Sequence, residues 1–116
     1  MRVGSLDSMR DFLDVRDIID AYVRSVFLAD ELPVGCVMNL ASGRPRRIGD
    51  MLDTLLAMSE VRIKVTPDLE RFRPSDTPIV VGDNGRARSL LGWQPERDVD
   101  YTLASVLGYW RARVAG

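Results

Sequence analysis

Apolar residues recur at helical spacing in four stretches of this chain. Val15, Ile18, Ile19, Tyr22, Val23, Val26 and Phe27 follow the i, i+3, i+4, i+7 rhythm of an amphipathic helix. Asp14 is placed to cap its start, and Asp17 adds an acid in the first turn, where the helix dipole favours one. The helix should stop near Ala29 or Asp30, before Pro33. A second helix carries Ile48, Met51, Leu52, Leu55 and Leu56 on one face. A third, short one buries Ala87, Leu90 and Leu91, with Asp83 to cap it and Gly92 to close it. The last begins near Asp98 to Asp100 and buries Leu103, Val106, Leu107 and Trp110.

Between these stretches the period changes. Residues 2–6 and 10–13 read as short extended pieces separated by a loop through Asp7 and Ser8. Residues 35–40, Gly-Cys-Val-Met-Asn-Leu, form an apolar run bounded by turn signals, which reads as a buried strand. Ala41-Ser42-Gly43 then turns the chain. Residues 61–65 alternate apolar and basic positions as a half-buried strand would, and Pro78 to Val81 is extended. Pro95 and Trp93 pack the turn before the last helix. The fold class is therefore α/β, an α+β-like small domain with about four helices and short strands. Tryptophan, tyrosine and methionine fall mostly on the apolar faces, so their expected place is the core.

Length and composition narrow the function more than the fold. The chain has 116 residues, enough for one domain (1–116) with one modest core. It is 46% apolar and 28% charged with a net charge of -1, and its 16 basic residues are scattered among 17 acids. That leaves no basic face for nucleic acid. No apolar run is long enough for a membrane span, and the start lacks a signal-peptide layout, so the expected location is the cytoplasm. Cys36 is the sole cysteine and reads as an inert core thiol. There is no histidine, which excludes Ser-His, Cys-His and His-metal chemistry.

One stretch offers a chemistry, Arg71-Phe72-Arg73-Pro74-Ser75-Asp76. In an extended backbone, Arg71 and Arg73 point the same way. Pro74 favours extension at Arg73 and sets the turn that follows. Guanidiniums suit bidentate contact with phosphate, and a carboxylate such as Asp76 suits a pair of ribose hydroxyls. The plain alternative is a surface loop with a salt bridge. Arg44, Arg46 and Arg47 form a second basic cluster in a loop before the second helix; it could meet a phosphate, and it reads first as a solvated loop or partner contact.

The order of short motifs carries a resemblance. Val3-Gly4-Ser5-Leu6 followed by Arg10-Asp11-Phe12-Leu13-Asp14-Val15-Arg16-Asp17 resembles the "GNL…RDFxDVRD" segment of extended short-chain dehydrogenase/reductases. Residues 37–43 are similar to their "VYNxxSG" strand and turn. Arg73-Pro74-Ser75-Asp76, Gly82-Asp83 and Leu91-Gly92-Trp93-Gln94-Pro95 are similar to their "RPxD…GD…LGWxP" ending. Within that superfamily the chain looks like the C-terminal, substrate-binding part of GDP-4-keto-6-deoxymannose reductases and GDP-mannose 4,6-dehydratases. The resemblance implies that Arg10 and Arg73 contact a sugar nucleotide's diphosphate and Asp76 its ribose. It also implies that Ser5 and Leu6 lie along the nucleotide. Ser5 stands where the family has Asn; it keeps a hydroxyl and loses the amide's paired donor and acceptor.

The family's cofactor motifs do not appear. No G-x-x-G-x-x-G follows a strand, and Tyr22, Tyr101 and Tyr109 have no Lys four residues on; Lys64 is the only lysine. The expectation is no catalytic residue, no metal and no cofactor in this chain, inactivity alone, and NADP or NAD only in a full-length relative. In the family the strand matching residues 36–41 extends the sheet of the cofactor domain. Here it should present an edge, which invites a homo-oligomer or a separate Rossmann-type partner. Two other readings share these residues: a non-enzymatic oligomerisation or protein-binding module, and a fragment of a UDP-sugar 4-epimerase.

Overall fold

The computed structural model describes residues 1–72 and 77–114. Their elements run β1 (Arg2–Val3), β2 (Met9–Asp11), α1 (Val15–Phe27), β3 (Pro45–Arg47), α2 (Ile48–Ala57), β4 (Thr66–Pro67), a 3-10 turn (Leu69–Arg71), α3 (Gly85–Leu91) and α4 (Val99–Val114). β1 pairs parallel with β4, and β2 pairs antiparallel with β3. A parallel bridge from Met9 to Ile79 lays the segment after residue 76 along β2. The α/β class with four helices and short strands stands, although the strands are shorter than the alternation predicts.

The centre of the molecule is small. Ala21 of α1, Ala87 and Leu91 of α3, and Trp93 form the buried cluster, with Leu13, Leu28, Leu32, Met38 and Leu40 packed around it. Trp93 is fully buried, and its indole N–H donates to the Asp17 carbonyl at 2.8 Å. Gly92 closes α3 at φ 59°, a left-handed turn that glycine enters without a Cβ penalty. That turn delivers Trp93 to the core.

Asp17 is 2% exposed. Its carboxylate accepts from the Arg97 guanidinium at 2.5 Å and from the Arg97 backbone N–H at 3.1 Å. Sequence spacing gives Asp17 a dipole role in the first turn; its larger role is this ion pair, which ties α1 to the chain 80 residues on. Asp14 caps α1 as expected, accepting from the Arg16 N–H. It also takes two hydrogen bonds from the Arg16 guanidinium and one from the Thr102 hydroxyl at 2.7 Å. Arg16 in turn lies over the Tyr101 ring. The starts of α1 and α4 are thereby fastened together.

Several expectations are corrected. The apolar stripe of α1 does not face the core: Val15, Ile19, Tyr22, Val23, Val26 and Phe27 are exposed, Phe27 by 84%. The side turned inward carries Asp14, Asp17 and Ala21, because the buried ion pair fixes the helix's rotation. Tyr101, Tyr109, Val106 and Trp110 on α4 are likewise exposed, so their assignment to the core fails. Residues 35–40 form no strand, since no strand among the described residues pairs with them. Cys36, Met38 and Leu40 are half-buried there while Val37 and Asn39 are exposed, so the alternation survives without a ladder. The extended pair after α2 falls at Thr66–Pro67, and 61–64 are exposed coil. Asn84, not Asp83, is the N-cap of α3, though the Asp83 carboxylate accepts from the Gly85 N–H at 2.7 Å.

Two outcomes follow for stability. Arg97→Met should cost about 3 kcal/mol in urea unfolding, because it leaves the buried Asp17 carboxylate without its counter-charge. Arg46→Met, whose partner Asp100 is half in water, should cost less than about 1 kcal/mol. Equal losses in the two variants would overturn the assignment of Asp17 as the structural centre. The second outcome concerns acid. The Arg16 guanidinium first, then the Thr102 hydroxyl, hold the Asp14 carboxyl well below the usual carboxylate range despite its burial. A group depressed in the folded state contributes stability above its unfolded value, near 3.8, and loses it as pH falls below that value. Asp14→Asn should therefore be less stable than the parent at pH 7 and closer to it at pH 2.5, read from urea midpoints at both pH values.

Candidate functional site

β2 is the strand on which the candidate site is built. Arg10 sits at its middle, in register with Arg46 of β3, so the two side chains share one face of the ribbon. The Arg10 guanidinium donates to the Met9 carbonyl at 2.7 Å and to the Pro78 carbonyl at 3.3 Å. Met9 N–H donates to Pro78 O at 2.8 Å, and Val80 N–H to Met9 O at 3.1 Å. Arg10 is thus held beside the segment 77–80. Arg73 and Asp76 lie outside the described residues.

Ser5 and Leu6 occupy the half-buried loop between β1 and β2. The loop is anchored at the N-terminus of α2. That helix has no side-chain cap, and its first N–H groups go instead to loop carbonyls. Ile48 N–H donates to Ser8 O at 3.0 Å, and Gly49 N–H to Leu6 O at 2.9 Å. On its other side the loop touches the 3-10 turn. A Cβ on Gly4 would come within 2.5 Å of the Arg71 carbonyl oxygen, so only glycine allows this approach. The Ser5-Leu6 loop and Arg71 are therefore neighbours.

Arg71 itself does not point the way an extended backbone would. It ends the 3-10 turn, and its guanidinium is spent on Asp68 at 3.0 Å. Asp68 is 5% exposed and also pairs with Arg2 at 3.1 Å. A carboxylate three residues earlier captured Arg71, which was legible in the spacing. The second basic cluster is also corrected. Arg46 and Arg47 lie on β3, not in a loop, and Arg46 pairs with Asp100 while Arg47 pairs with Asp7 and Asp50.

Sequence reasoning gave Asp11 no role, and the structure gives it a central one. Its carboxylate accepts from the Ser42 hydroxyl at 2.5 Å and from the N–H groups of Ser42, Gly43 and Gly82 at 2.8, 2.9 and 3.1 Å. Burial pushes its carboxyl up, but the hydrogen bonds from Ser42, Gly82 and Gly43 outweigh it and hold it below its ordinary value. Asp11 thus nails the turn after residue 41 and the turn at Gly82 to the strand that carries Arg10. The signal was present in the two glycine turns, whose N–H groups need an acceptor.

A cavity of about 620 Å³ opens on the same side of the ribbon, against Phe12, Arg44, Arg46, Arg88 and Arg97. It reaches neither Arg10 nor the Ser5-Leu6 loop. Its arginines are largely committed: Arg46 to Asp100, Arg97 to Asp17 and Arg88 to the side-chain amide oxygen of Gln94. Glu96 and Asp98 in its wall offset the remaining charge. It is a cleft between paired groups and not an anion site. Among the described residues no group of acids and cysteine is placed to hold a metal ion. None of the described helices is long and apolar enough to cross a membrane.

Known proteins share this fold and sequence pattern. The family model described as GDP-mannose 4,6 dehydratase matches residues 1–106. GDP-6-deoxy-D-mannose reductase of Pseudomonas aeruginosa is 32% identical over 114 residues, covering 98% of this chain and 36% of that protein. UDP-glucose 4-epimerase of Rhizobium meliloti is 29% identical over 105 residues, covering 90% of this chain and 31% of that protein. The structure of RMD from Pseudomonas aeruginosa complexed with NADPH superposes with a TM-score of 0.85 at 31% identity, over 97% of this chain and 36% of that one. The chain spans about a third of the length of these relatives. The motif order read along the chain, the fold and the match over residues 1–106 agree: this chain belongs to the GDP-mannose 4,6-dehydratase family of extended short-chain dehydrogenase/reductases.

Proposed function

We propose that this chain is the nucleotide-sugar-binding portion, of GDP-mannose type, of an NAD(P)-dependent reductase or dehydratase. Arg10 and Arg73 hold the diphosphate, Asp76 the ribose, and the Ser5-Leu6 loop lies along the nucleotide. The observation that carries this reading is the fastening of β2 to the segment 77–80 by Met9 and the Arg10 guanidinium. It ties the family's first arginine to the chain that follows its second. The 32% identity with a GDP-6-deoxy-D-mannose reductase supports the GDP sugar over the UDP sugar. Hydride transfer would belong to an NAD(P) held by a companion domain, since the Gly-rich turn and the Tyr-x-x-x-Lys pair are absent from this sequence. By itself the chain binds and does not catalyse.

A second reading is favoured by the exposed α1 stripe: an assembly module in which the old nucleotide site is unused. Ligand titration separates the two. GDP-mannose should bind the isolated chain with Kd near ~1 mM, weak because an open site leaves the ion pairs in water. Arg10→Ala and Arg73→Ala should each abolish NMR shifts on titration, and raising salt should weaken binding. A parallel titration with UDP-glucose decides the base. Unchanged GDP-mannose binding by Arg73→Ala would remove that residue from the site. No binding of any nucleotide sugar by the parent chain would leave the assembly reading.

A further inference from the structure

Two carbonyls hold the Arg10 guanidinium, those of Met9 and Pro78, and both bonds use Nη1. A planar group with two acceptors on one terminal nitrogen has its plane set by them. The same two carbonyls make the parallel bridge between β2 and the segment after residue 76. Pro78 O also accepts from the Met9 N–H, and Met9 O from the Val80 N–H. A slip of that segment along β2 would therefore part the two carbonyls and turn the guanidinium. Among the described residues the bridge rests on these two backbone bonds. So short a pairing does not lock its own register.

The third fastening is a side chain. Gly82 N–H, two residues beyond Val80, donates to Asp11 Oδ2 at 3.1 Å. Gly82 is also wedged in place: a Cβ there would stand 2.3 Å from the Ala41 Cβ. Asn84 closes the wedge, its side-chain amide donating to the Ala41 carbonyl at 2.8 Å. The segment cannot slide along β2 while Asp11 holds the Gly82 N–H. Asp11 divides its acceptors between two tasks. Oδ1 takes the Ser42 N–H and hydroxyl, and Oδ2 takes the Gly43 and Gly82 N–H groups. A carboxylate meets four donors on two oxygens. A side-chain amide would turn its NH2 toward N–H donors whichever way it lay.

We propose that Asp11 is a positioning residue for Arg10: by holding Gly82 it locks residues 77–82 in register on β2, and so sets the plane in which Arg10 meets the diphosphate. The proposal rests on the reading of Arg10 as a diphosphate ligand and deepens it. A guanidinium fixed in one plane suits bidentate contact and loses less freedom on binding. Asp11 touches no ligand itself; it acts through residues 77–82. The plain alternative is that Asp11 serves only the turn at residues 42–43. Ser42→Ala separates the two roles, because it removes a bond on Oδ1 and leaves Gly82 on Oδ2.

The test uses the isolated, isotope-labelled chain and reads two quantities by NMR, the order of the Arg10 Nε–H and the affinity for GDP-mannose. In the parent that N–H should be as ordered as rigid backbone, with an order parameter of about 0.85, and in Asp11→Asn it should fall below about 0.6. Ser42→Ala should leave it as in the parent. The Kd for GDP-mannose should rise about fivefold in Asp11→Asn. Added to Arg10→Lys, whose ammonium has no plane to set, the same change should raise it less than about twofold. Unchanged Arg10 order in Asp11→Asn would overturn the proposal, as would an Arg10 already mobile in the parent. A Ser42→Ala that matches Asp11→Asn, or an equal loss of affinity in the Arg and Lys backgrounds, would overturn it too. If Asp11→Asn does not fold, Gly82→Ala takes its place. Its methyl pushes the segment off Ala41, the same loss of Arg10 order is expected, and retained order overturns the proposal. A parent chain that binds no GDP-mannose fails the nucleotide reading alone. Arg10 order that depends on Asp11 and not on Ser42 then still supports the positioning, and order independent of Asp11 overturns it.

Discussion

The fold hangs on a buried carboxylate. Asp17 is shut away from water, and its charge is met by the Arg97 guanidinium and backbone N–H. Its own carbonyl takes the Trp93 indole. A charge buried this deeply fixes geometry, because any rotation that parts it from Arg97 leaves it unsolvated. The rotation it fixes is that of α1. At about 100° per residue, Val15, Ile19, Tyr22 and Val26 fall about 140–180° around the helix from Asp17. One ion pair thus decides that the polar stripe of α1 meets Trp93 and that the apolar stripe meets whatever lies outside.

The same economy recurs through the molecule. Among the described residues the buried apolar side chains are few and mostly small: Ala21, Ala41, Ala87, Leu91 and Trp93. Where a larger core would hold the loops by packing, carboxylates hold them here. Asp11 gathers the turns at Ser42, Gly43 and Gly82; Asp14 joins α1 to α4; Asp68 joins β1 to the 3-10 turn. Each is a carboxylate drawn out of water whose charge is met by backbone N–H groups, a hydroxyl or more exposed guanidiniums. The arginine-rich composition then makes sense as a set of counter-charges and not as a basic surface. Arg2, Arg16, Arg46, Arg47, Arg71 and Arg97 are all spent on acids.

Periodicity located the helices because a stripe at 3.6 residues is a local property. It did not say which stripe of α1 is buried, because that depends on what covers it. An apolar stripe ordinarily faces the core of its own chain, and here no described element covers it. Residues 35–40 failed for the same reason: an apolar run becomes a strand only beside a neighbour. The Asp14 cap and the Gly92 stop were legible because both act within one turn. Asp11 and Asp17 were not, because their partners lie 31 and 80 residues away. Motif order singled out Arg10, and the structure sets it beside residues 77–80.

The exposed apolar stripe of α1 and the proposed nucleotide half-site would bear on each other through the dielectric. β2 carries Arg10, and only three residues separate Asp11, the last residue of that strand, from the start of α1. A guanidinium facing open water attracts phosphate with an energy screened toward that of bulk water. Any partner set on the exposed stripe of α1 would displace water from the neighbourhood of β2 and lower the local dielectric. The same two charges would then attract several-fold more strongly, with no new contact. Burial would also cost the guanidinium its hydration, a cost that the Met9 and Pro78 carbonyls offset in part and a bound anion would offset further. Covering the stripe therefore should make the site both tighter for a diphosphate and less tolerant of being empty. The affinity of the isolated chain is for that reason a lower bound on that of the covered one.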